Sequence, residues 1–320
     1  MKQSADRILG ISMSKHNLVI AEIGPPPEKL EIRQLANLRM EVPFDYSSIG
    51  DIQSESKFSE AIESALHMRN IQASHASISI PDQMALIKLF PIDAKMSDAD
   101  LQEHLQWEVE QFLLADQHEY IKDFQNLPLV TGVKSHMILV AVRKLIIDFL
   151  KEVFAKTSLK LASVDLDMFS AVRAVEANYE FRSQSKAILI QFDKDSFKIL
   201  QLYEGSFLGY EEFSFVLSET ENEPKSISLL AEEVYKKIDQ VISIYFNGND
   251  QSDLDRILVF GRAIPSGLID ELQELCPAPV DTVNPFNRIR LSAQAEQSRG
   301  THDSHDFLIA VGTALRVVRS

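Results

Sequence analysis

Two groups of side chains have types and spacings that enzymes and metal sites use. His302 and His305 follow Gly300 at a spacing that fits two ligands of one metal ion, although such a pair is also typical of a polar loop. Asp165 and Asp167 end a predicted strand, where paired carboxylates can act as general acid and base. Their place directly before a helix favours capping of its amide groups. The chain contains no G-x-x-x-x-G-K loop, no H-E-x-x-H and no G-x-S-x-G.

The composition bounds the class of protein. The chain has 320 residues, of which 45% are hydrophobic and 25% charged, as in a soluble globular protein of about two domains. The net charge of −15 disfavours nucleic acid and direct attachment to an anionic membrane, because both need clustered Lys and Arg. The lone cysteine, Cys276, excludes an internal disulfide. Since the sequence has neither an apolar signal core nor a bilayer-spanning apolar stretch, we expect a cytoplasmic protein.

Functional side chains must be positioned by strands and helices. The pattern of apolar residues predicts two similar groups of strands. The runs 8–11 and 18–23 flank a polar turn and predict a β-hairpin. A second hairpin begins at 187–192, so that Ser12 and Gln191 occupy the same place in two hairpins, 179 residues apart (191 − 12). We therefore expect two related lobes, with the boundary near residues 181–185.

Two further segments have a less obvious role. Ser97 and Asp100 predict a capped helix, on which Trp107 and Leu114 lie off the main apolar stripe. An aromatic residue off the core face is typical of a protein–protein contact, but packing of the helix on both sides would make Trp107 a core residue. The polar stretch 293–304 predicts a mobile loop before a terminal helix.

The order of these elements resembles that of the PilM family of type IV pilus assembly proteins. Seven segments carry the resemblance: GISMSKHNLVIAEI (10–23), MSDADLQEHLQWEVEQFL (96–113), LVAVRK (139–144), SVDLDMFSAVRA (163–174), DRILVFGRA (255–263), VNPFNRI (283–289) and AVGTALR (310–316).

The resemblance implies an α/β fold of the actin/heat-shock ATPase type. Each of two lobes then holds a mixed five-stranded sheet flanked by helices. Lobe 1 is expected at 1–180, with a small subdomain inserted at about 76–127. Lobe 2 is expected at 186–320, with the C-terminal helix 306–318 near the lobe interface.

Members of the family bind ATP between the lobes, using an Asp and a Gly in two hairpin turns and paired glycines in an adenosine loop. This sequence keeps one of these residues, Gly261, and departs at the others: Ser12 and Gln191 stand for Asp, Ser14 and Asp193 for Gly, and Arg262 for the next glycine. Both carboxylates that would hold hydrated Mg²⁺ are thus replaced, and Asp193 brings negative charge towards the phosphates. We expect no bound cofactor and no metal; ATP and Mg²⁺ belong to the alternative of an ATPase whose site is rearranged around Lys15 or Arg262.

The resemblance also implies a partner. In the family, the protein docks the cytoplasmic tail of the membrane protein PilN in a groove between lobe 1 and the inserted subdomain. We therefore expect a non-catalytic scaffold, or pseudo-ATPase, held at the inner face of the inner membrane through partners, with Trp107 and Leu114 as contacts for the tail. The sequence does not tell whether the protein forms a homo-oligomer. It also leaves open whether the machine is a pilus, a secretion apparatus or a gliding system.

Overall fold

The computed structural model describes residues 7–24, 30–93, 96–113, 117–130, 135–215, 224–246 and 254–318. Within these ranges the strands are β1 Ile8–Met13, β2 Asn17–Gly24, β3 Glu31–Arg39, β4 His75–Ile80, β5 Ala85–Pro91, β6 Tyr120–Asn126, β7 His136–Arg143, β8 Lys160–Leu166, β9 Lys186–Phe192, β10 Ser196–Tyr203, β11 Ser206–Ser214, β12 Arg256–Gly261, β13 Val280–Thr282 and β14 Arg290–Leu291. The helices are α1 Ile52–Arg69, α2 Asp98–Phe112, α3 Lys144–Ala155, α4 Asp167–Asn178, α5 Pro224–Tyr245, α6 Leu268–Leu275, α7 Ala293–Arg299 and α8 Leu308–Val318.

Two sheets repeat one topology. The first has the order β14-β3-β2-β1-β4-β8 and the second the order β11-β10-β9-β12-β13. Apart from the two-residue β14, each sheet is an antiparallel meander of three strands followed by two parallel strands. The expected pair of related lobes with five-stranded cores is therefore present, and lobe 1 gains a sixth strand at its edge.

The central strands are apolar because they are covered on both faces. Every residue of β1 is buried, and β9 is buried over most of its length. Continuous apolar runs of this kind are typical of strands enclosed between two layers of helices. The sequence pattern thus places both central strands correctly.

Local signals fix the ends of the helices. Asp51 caps α1 by accepting hydrogen bonds from the amides of Gln53 and Ser54, and Asn70 ends it in the left-handed conformation. The predicted cap of α2 is confirmed, because the Ser97 hydroxyl accepts a hydrogen bond from the Asp100 amide at 3.2 Å.

The inserted subdomain lies later in the chain than expected. Its three-stranded sheet has the order β5-β7-β6, and α2 packs on one face through residues such as Leu105 and Val109. The prediction of 76–127 included β4, but β4 pairs with β1 and β8 in the first sheet. It also omitted β7, which lies at the centre of the inserted sheet.

After the second lobe the chain returns to the first. Helix α8 packs against β1 and α4, and a Cβ at Gly10 would lie 2.0 Å from the Ala310 carbonyl oxygen. A Cβ at Gly312 would lie 1.7 Å from the Ser170 carbonyl oxygen, so both positions need glycine for close packing. The predicted lobe 2 included this segment, whereas its contacts are with the first sheet; the boundary near 181–185 stays a prediction.

The expected loop at 293–304 contains an ordered helix instead. Ser292 caps α7 by accepting a hydrogen bond from the Ala295 amide at 3.1 Å, and the buried Ala295 faces the core. The Ser298 hydroxyl accepts a hydrogen bond from the Leu35 amide of β3. Side-chain hydrogen bonds thus hold this polar segment on the first sheet. None of the described helices combines the length and apolar character needed to cross a membrane.

Candidate functional site

The ends of the central strands of both lobes meet at a cleft of about 310 Å³. All six positions predicted for a nucleotide site line this cleft: Ser12, Ser14, Gln191, Asp193, Gly261 and Arg262. They come together because β1, β9 and β12 end at the same edge of their sheets, where α/β proteins place their ligands. The interlobe cleft is therefore the first candidate site.

The two hairpin turns in the cleft are closed in the same way. The Ser14 amide donates a hydrogen bond to the Asn17 carbonyl at 3.0 Å, and the Asp193 amide donates to the Ser196 carbonyl at 2.9 Å. The Asp193 carboxylate in turn accepts a hydrogen bond from the Lys194 amide at 2.9 Å. The acidic side chain is thus engaged by its own turn, where a glycine would leave the amides accessible.

Arg262 crosses the cleft at its outer side. Its guanidinium, which follows β12 of lobe 2, donates a hydrogen bond to the Ser14 hydroxyl in lobe 1. Gly261 beside it has a φ of +134°, and a Cβ there would lie 2.1 Å from the Phe192 carbonyl oxygen. Packing against β9 accounts for this glycine without a ligand.

A buried ion pair crosses the cleft at its inner side. The Lys198 ammonium of β10 binds the Asp82 carboxylate, which lies in a short 3-10 turn after β4; their side chains are 5% and 6% exposed. Asp82 also accepts a hydrogen bond from the Met168 amide at 3.1 Å. Burial lowers the pKa of Lys198, but attraction to Asp82 outweighs it and the pKa is raised. The lysine therefore stays charged at neutral pH.

Asp167 lies beside this ion pair and differs from its neighbour Asp165. Burial raises the pKa of Asp167 to about 7, and the nearby charge of Asp82 adds to the effect. Its Oδ1 has no hydrogen-bond partner among the described residues. The expected capping of α4 by these two carboxylates is wrong, because its N-cap residue is Leu166 and the first-turn amide of Met168 donates to Asp82 instead. Asp165 binds Arg173 at 2.6 Å instead.

A second and larger cavity, of about 590 Å³, separates lobe 1 from the inserted subdomain. We call it the groove. One wall is the face of the inserted sheet opposite α2, with Ile138 and Val140, and the other includes Phe169, Val172 and Phe207. Polar groups complete the lining: Lys122, Asp123, Gln125, Asp165, Arg173, Glu176, Ser206 and Arg316.

Trp107 lies outside this groove. It is 53% exposed on α2, where its ring stacks on His104 with a centroid distance of 6.0 Å. The alternative that Trp107 is a core residue is therefore wrong. The face of the sheet under α2 carries Leu139, whereas the groove is lined by Val140, so the two lie on opposite faces. Leu114 lies outside the described residues.

His302 and His305 flank one carboxylate. Their ring nitrogens lie 3.7 and 4.0 Å from Asp306, and burial raises the pKa of that carboxyl. Among the described residues no group of three or more His, Cys, Asp or Glu side chains is arranged to hold a metal ion.

Sequence reasoning missed the groove lining and the Lys198–Asp82 pair. The two partners of the pair are 116 residues apart, so no local spacing connects them. The signal for the groove was the apolar character of both faces of β7, whose residues 137–142 alternate between α2 and the groove.

Comparison with known proteins gives one family and one strong structural likeness. The family model of the type IV pilus assembly protein PilM matches residues 10–191 and 225–318. The chain is similar to a solved structure described as a PilM-PilN type IV pilus biogenesis complex, with 16% identity and a TM-score of 0.75, over 97% of this chain and 98% of that one. The fold prediction is confirmed: the chain has the two-lobed, actin-like α/β fold.

Two other solved structures are less similar. A protein of Bacteroides thetaiotaomicron with an actin-like ATPase fold has 13% identity and a TM-score of 0.48, over 89% of this chain and 93% of that one. The ethanolamine utilization protein EutJ from Carboxydothermus hydrogenoformans has 11% identity and a TM-score of 0.49, over 96% of this chain and 88% of that one. No curated protein sequence matches the chain.

Proposed function

The chain belongs to the PilM family of type IV pilus assembly proteins, and we propose that it acts as a non-catalytic scaffold that docks the cytoplasmic tail of a PilN-like inner-membrane protein. The observation that carries the proposal is the bridging of the interlobe cleft by the chain's own side chains. Arg262 reaches Ser14 and Lys198 reaches Asp82, so two of the three Lys and Arg side chains that line the cleft already have partners in the other lobe; the third is Lys15. Attachment to the membrane is then indirect, through the partner.

Charge in the cleft also opposes a bound nucleotide. Asp side chains outnumber Lys and Arg side chains in the lining, five to three, and neither Ser12 nor Gln191 supplies a carboxylate for hydrated Mg²⁺. A triphosphate there would face negative charge without its usual counter-ion, which is costly in a cavity shielded from water. These charges support a pseudo-ATPase without a resident cofactor.

The groove supplies the docking site of the proposal. It is about twice as large as the cleft and combines an apolar floor with polar groups at its rim, as peptide-binding grooves do. Apolar side chains of a tail would bury against Phe169 and Val140, and the polar rim would fix its direction.

One observation favours the alternative of an ATPase with a rearranged site. The cleft still encloses about 310 Å³, and the unpartnered Oδ1 of Asp167 points to an unsatisfied site that a hydrated ion can fill. Isothermal titration with Mg-ATP decides between the two functions, because the scaffold shows no heat of binding at micromolar nucleotide.

A restored variant provides the matched control. It carries Ser12→Asp, Ser14→Gly, Gln191→Asp, Asp193→Gly and Arg262→Gly together, and we expect it to gain Mg-ATP binding that the natural chain lacks. Saturation at 100 times the dissociation constant stabilises a protein by about 2.7 kcal/mol, which thermal unfolding detects. Micromolar binding by the natural chain would show that the pseudo-ATPase proposal is wrong.

The docking function is tested directly with a labelled peptide. The probe is the N-terminal cytoplasmic tail of the PilN-like protein encoded by the same genome, titrated with the full chain and followed by fluorescence anisotropy. We expect saturable binding that Mg-ATP does not alter. A tail that does not bind at 100 μM chain would contradict the proposed function.

A further inference from the structure

The groove also reaches the free edge of a strand, β6. In the order β5-β7-β6, β6 is the outermost strand, and in the described part of the chain it pairs with β7 alone. The outer edge of such a strand presents a row of backbone N–H and C=O groups, which another extended chain can use. β6 is also well exposed, since five of the six residues after Tyr120 are exposed to solvent.

The groove extends from the face of the sheet opposite α2 to this edge. It is lined by five consecutive residues, 121–125. Successive side chains of a strand point to opposite faces, and Phe124 packs on the α2 side whereas Val140, opposite Asp123, lines the groove. Because their side chains point to two different faces, the surface that all five residues can present to the groove is the backbone edge of β6.

Two hydrogen bonds show which backbone groups face outward. The Leu127 amide donates to the His136 carbonyl at 3.0 Å, so its direction is towards β7. The Phe124 amide instead donates to the Asp123 carboxylate at 2.9 Å, at an exposed position. Because backbone groups alternate along a strand, Lys122 and Phe124 direct their amides to the free edge, and Ile121 and Asp123 direct theirs towards β7.

The Asp123 carboxylate thus accepts the hydrogen bond of the Phe124 amide, which an added strand would otherwise accept. Charged side chains on edge strands commonly oppose uncontrolled pairing. Here the carboxylate is exposed and attached to the residue next to the amide, so a carbonyl of an incoming chain can replace it without loss of a buried interaction.

We propose that the partner tail binds as a fourth strand of the inserted sheet, its backbone paired with the outer edge of β6. This inference rests on the proposed function and adds the mode of recognition. The seven residues of β6 span about 23 Å at 3.3 Å per residue, which matches a tail segment of five to seven residues. The tail carries apolar side chains at alternate positions, which face Phe169 and Phe207 on the opposite wall.

Residue-resolved amide exchange tests the proposal. Exchange in β6 is measured by NMR on the full chain, with and without the PilN-like tail peptide used above. We expect the Lys122 and Phe124 amides to exchange at least tenfold more slowly in the complex. The Ile121 and Asp123 amides serve as internal controls, because they already face β7 and change less.

A backbone scan of the peptide gives a second measurement. Each residue of the tail is N-methylated in turn, which removes one hydrogen-bond donor and leaves the side chain in place. We expect affinity to fall at least tenfold at every second residue and by less than threefold at the residues between them.

The outcomes separate the two proposals. Alternating effects in both measurements support strand addition. Binding of the unmodified tail without alternation, or with slowed exchange of Ile121 and Asp123 instead, overturns strand addition and leaves docking in place. Failure of the unmodified tail to bind overturns docking itself, and strand addition with it.

Discussion

The interlobe cleft and the groove lie on opposite sides of one polypeptide segment, β8 with the start of α4. Asp167 faces the cleft and Asp165, two residues earlier, lines the groove. In the cleft, side chains of the two lobes bind each other through Lys198 and Arg262. In the groove, apolar surface and a strand edge face a larger open volume.

The difference teaches where binding energy is still available. Polar groups that already have partners must lose them before they bind a ligand, so they contribute little net affinity. Apolar surface and unpaired strand edges gain on being covered. On the proposed function, the cleft is a structural joint between the lobes and the groove carries the binding.

The largest test of this contrast is the substitution Lys198→Met. It leaves Asp82 buried without its cation, which typically costs about 3–5 kcal/mol of folding stability. Urea unfolding followed by circular dichroism measures the loss. Lys194→Met, at an exposed lysine of the same lobe, is the control. Equal stability of the two variants would show that the ion pair does not hold the lobes together.

A double variant sharpens the result. In Lys198→Met with Asp82→Asn both charges are removed, and the amide oxygen of the introduced asparagine can still accept the hydrogen bond from the Met168 amide. We expect it to recover part of the lost stability, because a neutral pair avoids an uncompensated buried charge. A double variant no more stable than Lys198→Met would show that the buried charge is not the cause of the loss.

The next effect is a pH dependence that arises in the cleft. The pKa of Asp167 is about 7 in the folded chain and near 3.8 when unfolded. Between these values the folded state holds a proton that the unfolded state has lost, so stability falls as the pH rises from 4 to 7. We expect Asp167→Asn to remove roughly 2 kcal/mol of this fall between pH 5 and 7.

Urea unfolding at pH 5, 6 and 7 measures this difference, with Asp193→Asn as the control at an exposed carboxylate in the same cleft. Parallel pH profiles of the natural chain and Asp167→Asn would show that the buried carboxyl does not titrate in this range.

The substitution Ile121→Asp tests the groove. Ile121 is 45% exposed, so its loss changes folding stability by no more than about 0.5 kcal/mol. The added charge faces the apolar floor of the groove. We therefore expect the affinity for the tail to fall at least tenfold, which is about 1.4 kcal/mol of binding free energy. Anisotropy titration measures it against Gln111→Asp on the exposed face of α2. Equal affinities would remove the groove from the docking site.

The smallest effect is expected for Trp107→Ala. Its ring is half exposed on the face of α2 away from the groove, so tail affinity should change less than twofold. The same titration measures it. A tenfold loss would make α2 part of the docking surface and support the prediction made from its sequence.

The sequence predicts the repeated hairpins and central strands because their signals are local. Ile8 to Ile11 and their counterparts before Phe192 form continuous apolar runs, and Ser97 marks the start of α2. It does not predict α7, whose one buried side chain, Ala295, gives no periodic pattern. That helix depends on hydrogen bonds to β3, which is distant in sequence.

The candidate sites divide in the same way. Resemblance brings Ser12, Gln191 and Arg262 to one cleft, because each lies at the end of a strand of recognisable pattern. The contacts that give the cleft its properties join Asp82 to Lys198 and Ser14 to Arg262 across long stretches of chain. The groove lies between strands and helices that no spacing connects, so it emerges only from their packing.

The return of α8 to the first sheet has a consequence during synthesis. Strand β1 leaves the ribosome early in lobe 1, yet the helix that fits against Gly10 follows nearly 300 residues later. At 5–20 residues per second this delay is roughly 15–60 s. Throughout that time one face of the N-terminal sheet lacks its cover and is open to chaperones. Synthesis of α8, rather than local collapse, then sets when lobe 1 becomes native.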